Sequence, residues 1–216
     1  LADTQATVIH RSPAWFSVDG GKHTMAIHNV RGKRLRASVS FILADPDFME
    51  DVCRLLNMLG ITVLGFMAPM LGQTLLMLPM QERDRTCVLI DAGYLNTEIT
   101  VVEGDAAVYH AVLPFGGGNI TADIAYDLQL DMRDAEQVKR NFRLIPDAQG
   151  ASNAPIVLTD EYGSRIQIPH NAARNAIERS LNEQCSLIER TLREASEYTG
   201  PRSLIYLTGG GIVMMN

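Results

Sequence analysis

The sequence has few of the residues that mark disulfide-stabilised, membrane-spanning or nucleic-acid-binding proteins. It contains three cysteines, Cys53, Cys87 and Cys185, which are far apart, lack metal-ligand spacing and are predicted to be buried, reduced thiols. The longest apolar stretch, residues 61–80, is interrupted by two glycines and two prolines, a pattern that is not typical of a membrane span. The net charge of −6 argues against a nucleic-acid partner.

The first part of the chain predicts a small mixed subdomain. Strands are expected over residues 6–10, 14–20 and 35–44, with the basic run at 31–36 as a solvated turn. A helix follows, because apolar residues recur at helical spacing after Asp45 as N-cap and Pro46 at the first helical position, up to a stop at Gly60. A strand over 61–67 and a helix over about 69–81 complete a β–α–β unit.

The second part predicts a sheet with helices. Three strands joined by short glycine turns indicate a meander, and they are followed by two helices, a surface hairpin, a long helix and a closing strand. These elements are expected at 86–93, 97–104, 106–116, 116–130, 131–142, 155–169, 171–198 and 203–211.

Three glycine turns follow strands, around Gly93, at 116–118 and at 209–211. Glycine lets backbone N–H groups approach phosphate oxygens closely, so such turns are good anion sites. A carboxylate beside a phosphate repels it unless Mg²⁺ or its water shell lies between, and Asp91 is therefore predicted as a partner of Mg²⁺-bound water. Taken alone, Asp91 is better interpreted as a strand-end residue that caps the next turn, and the three glycine turns together reverse that preference.

These motifs together resemble the second half of an actin-like ATPase. The match consists of strand, D-A-G and strand, then "LPFGGGNITADIA", then "AEQVK", then a long helix leading to "IYLTGGG". Within that superfamily the chain is most similar to the FtsA family of bacterial cell-division proteins, since "FSVDG", "RGKRLRASVSFILAD" and "GITVLGF" resemble its inserted small domain. The resemblance covers nearly the whole chain.

The resemblance implies an α/β fold with an α+β insert: a ribonuclease H-like, actin-like lobe preceded by a small β–α–β-containing subdomain. It places the inserted subdomain at residues 1–68 and the second lobe at 69–216, with a smaller hairpin subdomain at about 143–170.

The resemblance also implies a site for ATP and Mg²⁺. Asp91 faces the metal-bound water, Glu136 and Lys139 lie beside the ribose and adenine, and Gly117 lies against the nucleotide. The remaining residues form the second phosphate loop and the glycine surface under the adenosine; they are Gly93, Tyr94, Leu95, Asn96, Gly209, Gly210 and Gly211. Without the family, Glu136 and Lys139 are also typical of charged neighbours on a solvated helix face.

The chain departs from the superfamily's D-x-G-G-G-T-x-D pattern. It has Tyr94 and Leu95 where the pattern has glycines, and Glu98 where it has aspartate. The backbone N–H groups are still present after these changes, but Tyr and Leu have less backbone conformational freedom than glycine. The resemblance therefore implies nucleotide binding with at most weak ATPase activity.

The resemblance implies a protein that self-associates into filaments and links the FtsZ ring to the inner face of the cytoplasmic membrane at the division site. In the family, a C-terminal amphipathic helix makes the membrane contact; the 216 residues contain none. Three alternatives stay open at this point: an FtsA-like pilus-assembly scaffold, a degenerate scaffold without nucleotide, and a small-molecule kinase of the same superfamily.

Overall fold

The computed structural model describes residues 6–82, 85–142, 154–159, 163–200 and 203–211. The chain divides into two compact units. The first contains Leu1–Val88, Thr100–His110 and Tyr198–Leu204, and the second contains Leu89–Ile99, Ala111–Glu197 and Ile205–Asn216. The predicted subdomain limits at residues 68 and 69 stay a prediction.

The first unit begins with a long antiparallel hairpin of β1, Thr7–Val18, and β2, Leu35–Ala44. The two short strands predicted over 6–20 are one continuous strand. Its pairing with β2 shifts register between Val8 and His10 and again between Pro13 and Trp15. A strand can accommodate proline at such an irregularity, where the regular ladder of hydrogen bonds is broken.

The connection between β1 and β2 is an exposed turn organised by one carboxylate. Asp19 has a φ of 51°, and its side chain accepts hydrogen bonds from the backbone N–H groups of Lys33 and Arg34. The basic run at 31–36 is exposed, as the sequence predicted.

The first helix, α1, spans Pro46–Met58 and has the predicted limits. The side chain of Asp45 accepts hydrogen bonds from the N–H groups of Asp47 and Phe48, which satisfies two of the donors left open at a helix start. Gly60, two residues past the helix, has a φ of +73°, a conformation that glycine adopts at little cost.

The predicted strand over 61–67 is wrong, so the β–α–β order is not formed. Residues 61–68 have no regular secondary structure, although Ile, Thr and Val favour strands. That preference depends on context, and residues 62–67 make no backbone hydrogen bond to β1 or β2. Helix α2 follows at Pro69–Met77 and is shorter than predicted, with a separate 3₁₀ turn at Met80–Glu82.

The remaining elements confirm the predicted order of three strands, two helices, a hairpin, a long helix and a strand. They are β3 Cys87–Ala92, β4 Thr97–Glu103, β5 Ala106–Leu113, α3 Gly117–Leu128, α4 Met132–Asn141, β6 Ile156–Thr159, β7 Arg165–Ile168, α5 His170–Glu194, a 3₁₀ turn Ala195–Glu197 and β8 Leu204–Thr208.

A four-stranded sheet has the order β5-β4-β3-β8. Connections as short as those from β3 to β4 and from β4 to β5 require antiparallel neighbours. The predicted meander is therefore confirmed. The first four residues of β3 are buried, as expected for a central strand.

The core of the second unit lies where α3, α4 and α5 pack with the β6–β7 hairpin. Its buried members are Ile120, Ile124, Ala135, Val138, Phe142, Leu158, Ile168, Ala173, Ala176 and Ile177. On the helices these residues recur at three- and four-residue spacing, so each helix presents one apolar stripe. The predicted hairpin subdomain is described only in part, because residues 143–153 lie outside the described ranges.

The expectation of three buried thiols is correct for one of them. Cys87 is buried at the start of β3, Cys53 is half-buried and Cys185 is exposed. Burial, together with the neighbouring Glu82 carboxylate, raises the pKa of Cys87 above that of an ordinary thiol. Cys185 lies on the predicted apolar stripe of α5, but its side chain is exposed to solvent.

Replacing Ile124 by alanine should lower the free energy of unfolding by about 2–5 kcal/mol, because the side chain is fully buried and leaves a cavity. Tyr126→Ala on the same helix is the control, since Tyr126 is exposed and its loss should change stability by no more than about 0.5 kcal/mol. Urea denaturation measures both; equal losses would contradict the described core.

Candidate functional site

The turn between β3 and β4 is closed by its own backbone. The N–H of Gly93 donates to the carbonyl oxygen of Asn96 at 2.9 Å. A Cβ on Gly93 would come within 2.8 Å of that same oxygen, so this position requires glycine. The side-chain amide of Asn96 donates a hydrogen bond to the carboxylate of Glu98 at 3.3 Å. This bond connects the acidic residue on β4 to the turn.

The three glycines at the start of α3 pack directly on this turn. Gly117 N–H donates to the Gly93 carbonyl at 2.9 Å, and Gly118 N–H donates to the Tyr94 carbonyl at 2.8 Å. A Cβ on Gly116 would lie 2.5 Å from the Gly93 oxygen and 2.7 Å from the Tyr94 oxygen. Gly116 is therefore needed for close backbone packing and a Cβ on Gly118 would be tight at 3.0 Å, whereas a Cβ on Gly117 would make only ordinary contacts, the nearest at 3.5 Å.

This arrangement determines which backbone N–H groups are available to bind a ligand. The N–H groups of Gly116, Gly117 and Gly118 all donate to protein acceptors, the first of them to the Asn119 side chain at 2.9 Å. Among the described residues, no hydrogen-bond acceptor is found for the backbone N–H of Tyr94 or of Leu95. The donors open to an anion therefore belong to the turn.

Tyr94 turns its ring towards the start of α3. Its ring atoms lie 3.0 and 3.1 Å from where a Cβ on Gly118 would be, and the Lys139 ammonium lies 5.2 Å from the ring centroid. A cation at that distance over an aromatic face is attracted to it. Leu95, by contrast, is 77% exposed.

Lys139 joins α4 to the start of α3. Its nearly buried ammonium lies 2.9 Å from the Gly117 carbonyl, 2.7 Å from the Thr121 hydroxyl and 2.5 Å from a Glu136 carboxylate oxygen. An ammonium has three protons, so these acceptors use all of its donors. Lys139 is therefore a positioning residue that joins two helices.

Glu136 receives hydrogen bonds from three side chains. Thr121 donates to one carboxylate oxygen at 2.5 Å and Arg140 to the other at 2.9 Å, in addition to Lys139. Burial works against the charged form, but these hydrogen bonds outweigh it, and the pKa of Glu136 lies below its ordinary value. Each carboxylate oxygen has more than one acceptor position, so Glu136 can still accept a ligand hydroxyl.

The glycines after β8 pack against the end of β3. Gly209 has a φ of +98°, and a Cβ there would collide with the Ala92 carbonyl and with a carboxylate oxygen of Asp91. A Cβ on Gly211 would lie 2.9 Å from the same carbonyl oxygen, whereas Gly210 has open space around it. The Asp91 carboxylate is thus held beside the glycine turn.

These pieces surround one pocket of about 480 Å³, a size typical of small-ligand sites. Seven of the eleven residues predicted from the sequence line it, while Asp91 lies near the end of β3 and Leu95, Asn96 and Gly209 belong to the adjoining turns. The pocket is lined by Gly93, Tyr94, Gly117, Glu136, Lys139, Arg140, Gly210 and Gly211.

Sequence reasoning missed Thr121, Arg140 and the packing role of the glycines. Arg140 could have been found, because it lies four residues after Glu136, where helical side chains pair. Thr121 carries no such signal, since its contact to Glu136 joins two helices. A second, apolar cavity of about 310 Å³ beside the pocket, which Cys185 and Leu192 of α5 help to line, was also not predicted.

A magnesium ion fits this site only as part of a metal–phosphate complex. In the described residues no group of three or more His, Cys, Asp or Glu side chains could hold a metal ion. Mg²⁺ is commonly bound by one or two carboxylates together with substrate phosphates and water. Asp91, near the end of the strand that leads into the turn with the open N–H groups, is compatible with that arrangement.

The fold is that of an actin-like protein. The structure of the "PilM-PilN type IV pilus biogenesis complex" matches 97% of this chain and 51% of its own, with a TM-score of 0.60 at 21% identity. MreB 5 of Spiroplasma citri bound to AMPPNP matches 80% of this chain and 56% of its own, with a TM-score of 0.62 at 17% identity.

The family follows from the sequence comparisons. The family model "Cell division protein FtsA" matches residues 88–200, just over half of the 216 residues, and the chain belongs to the FtsA family. Cell division protein FtsA of Bacillus subtilis is 25% identical over 94% of this chain and 46% of its own length. The FtsA of Escherichia coli is 22% identical over 96% and 50%. The chain thus spans about half the length of these relatives.

In the described part of the chain, no helix has both the length and the apolar character needed to cross a membrane. The longest helix, α5, carries many charged residues.

Alanine at Gly116 should lower the free energy of unfolding by roughly 1–3 kcal/mol, because the new methyl group collides with two backbone oxygens that side-chain motion cannot move. Gly210→Ala is the matched control, because no atom lies within 4 Å of its Cβ position. Thermal and urea unfolding measure both. The packing described here would be contradicted by equal stability of the two variants.

Glu136→Gln should remove a pH-dependent part of the stability. The pKa of Glu136 is lowered by folding, so its contribution is fully present above the pKa of the unfolded chain, about 4.3, and is lost as pH falls through the folded value. The stability difference between wild type and variant should therefore be larger at pH 7 than at pH 3, measured by urea denaturation. Glu194→Gln, at an exposed position of α5, should show no such change. A pH-independent difference for Glu136→Gln would refute the assignment.

Proposed function

We propose that the pocket beside α3 and α4 binds ATP. The observation that carries this proposal is that the predicted residues from three separate segments line one pocket. The N–H groups of Tyr94 and Leu95 bind the phosphates, Glu136 accepts a hydrogen bond from a ribose hydroxyl, and the adenosine lies against Gly210 and Gly211.

The phosphates and Mg²⁺ bind together. Asp91 would hold a water molecule of the Mg²⁺ shell, which would offset the repulsion between that carboxylate and the phosphates. The chemistry that Mg²⁺ supplies is charge neutralisation at the phosphate oxygens. Gly209 is required beside Asp91, because any side chain there would displace the carboxylate.

Binding is favoured over rapid hydrolysis. Tyr94 is a large side chain at the phosphate turn, and its ring is packed on Gly118 and faces Lys139. A turn fixed in this way has less freedom to adjust to the transferring phosphoryl group than one made of glycines. The protein is accordingly at most a weak ATPase.

In the cell, the protein acts in division as an actin-like component that self-associates and links FtsZ to the cytoplasmic membrane. Membership of the FtsA family supports this role. The likeness to the pilus complex is at 21% identity and concerns the fold, so it does not favour a pilus-assembly role. The site of action is the inner face of the membrane at the division plane.

Calorimetric titration of ATP with Mg²⁺ tests the proposed site directly. Asp91→Ala should weaken Mg²⁺-dependent binding at least about tenfold, which corresponds to about 1.4 kcal/mol. EDTA should weaken binding to the wild type further, because it removes the metal and leaves the Asp91 carboxylate beside phosphates whose charge is no longer neutralised.

Asp51→Ala is the control, since Asp51 is exposed on α1 and pairs with Arg54. It should bind ATP as the wild type does. The absence of ATP binding by the wild-type protein, or equal affinity of the Asp91 variant with Mg²⁺ present, would refute the proposed site.

A further inference from the structure

The turn between β1 and β2 concentrates positive charge on a chain that is acidic as a whole. Residues 20–44 contain no aspartate or glutamate, whereas the net charge of the chain is −6. The turn carries five lysine and arginine side chains, and all five are exposed. Together they are called the basic turn, and they are Lys22, Arg31, Lys33, Arg34 and Arg36.

The cations of the basic turn have no acidic partner within the described ranges. The ion pairs found there join other residues. The carboxylate of Asp19, the acidic residue of this turn, accepts hydrogen bonds from the backbone N–H groups of Lys33 and Arg34. Asp19 therefore fixes the backbone, and the side-chain charges remain available to an anion from outside the chain.

The backbone of the turn is already ordered by its own contacts. The N–H and C=O groups of Phe16 pair with those of Thr24 at 2.9 and 3.0 Å. A Cβ on Gly32 would collide with the Val18 side chain, so the chain at this glycine passes directly over the end of β1. Because the turn is formed in advance, binding an anion costs little ordering of the backbone.

A depression of about 460 Å³ lies among these cations. It is lined by Asp19, Gly20, Lys33, Arg34 and Arg36. No apolar side chain of the described residues lines it, so it offers no pocket for the apolar side chains of a peptide partner. A phosphate group, by contrast, can lie among the three cations, since the Asp19 oxygens are already engaged by N–H groups.

Two further features favour a lipid surface over a nucleic acid. Val30, next to Arg31, is 53% exposed, and an exposed aliphatic side chain can enter the boundary between lipid headgroups and acyl chains. Proteins that bind single-stranded nucleic acid place aromatic rings among their cations, so that bases stack on them. Residues 20–36 contain no phenylalanine, tyrosine or tryptophan.

We propose that the basic turn binds the phosphate groups of anionic lipids at a membrane surface. Lysine and arginine side chains near such a surface are attracted by its negative potential, and this attraction acts within about 8 Å at physiological ionic strength. Because its range is short, the local charge of the turn matters more for binding than the net charge of the chain.

This contact adds to the proposed membrane link and rests on that proposed function only for the place where lipid is met. None of the five cations lines the proposed ATP pocket. The family resemblance assigns the membrane contact to a C-terminal amphipathic helix, which the 216 residues do not contain. Vesicle binding by this chain therefore tests the basic turn without that helix, and its failure would leave the proposed role in division standing.

Co-sedimentation of the chain with vesicles tests the proposal. The wild type should bind mixed vesicles of phosphatidylcholine and phosphatidylglycerol, should not bind vesicles of phosphatidylcholine alone, and should be released by high salt. Arg31→Gln together with Lys33→Gln should weaken binding at least about tenfold, because two charges near the surface are lost. Arg31→Lys together with Lys33→Arg should bind as the wild type does, since both charges are kept.

Arg165→Gln together with Arg190→Gln is the matched control. Both residues are exposed, on β7 and α5, so this double variant changes the net charge by the same amount outside the turn. It should bind the mixed vesicles as the wild type does. Equal weakening in this control, full binding by the glutamine variant of the turn, or a wild type that does not bind the mixed vesicles would each overturn the proposal.

Competition distinguishes a lipid surface from other anions. Free glycerol phosphate, poly-glutamate and duplex DNA are each added to the wild type with the mixed vesicles, at the same concentration of negative charge as the lipid. The chain should remain on the vesicles, because the competitors offer no boundary for Val30 to enter. Displacement by any of the three would refute a lipid surface as the partner.

Discussion

The contact between the β3–β4 turn and the start of α3 determines the geometry of the candidate site. Two backbone hydrogen bonds, from Gly117 to Gly93 and from Gly118 to Tyr94, bring a strand turn and a helix together without side chains between them. Because these bonds use the first N–H groups of the helix, the open donors belong to the turn. The carbonyl of Gly117, whose N–H makes the first of these bonds, in turn accepts a hydrogen bond from Lys139 of α4.

The sequence predicted the elements of the second unit well because each has strong local signals. The helices α3, α4 and α5 have apolar stripes, and the strands end in glycine turns. Predictions in the first unit were less accurate. The segment 61–67 has strand-forming residues, but a strand also needs a neighbouring strand to pair with. The sequence alone does not show whether such a neighbour is present. For the same reason β1 was divided at Pro13, although the pairing with β2 continues past it.

For the site, the sequence identified which residues come together, but not what each contacts. Glu136 and Lys139 were predicted by resemblance to lie beside a nucleotide, and both line the pocket. The bond from Lys139 to Gly117 joins residues 22 positions apart. Such a contact depends on how two helices pack against each other, and the spacing of residues within one helix does not predict it. The glycines at 116–118 were interpreted as anion donors, yet their N–H groups donate to protein acceptors, and the collision of a Cβ on Gly116 with two backbone oxygens shows a packing role.

Lys139 also limits which substitutions the sequence can accept at that position. Its acceptors are a carbonyl, a hydroxyl and a carboxylate that converge on one nitrogen. The three N–H bonds of an ammonium point towards the corners of a tetrahedron, whereas a guanidinium is planar and spreads its donors over a wider fork. Arginine keeps the positive charge but cannot direct three donors to one point. In relatives that retain this contact, lysine should therefore not be exchanged with arginine at this position, although such exchanges are common on protein surfaces.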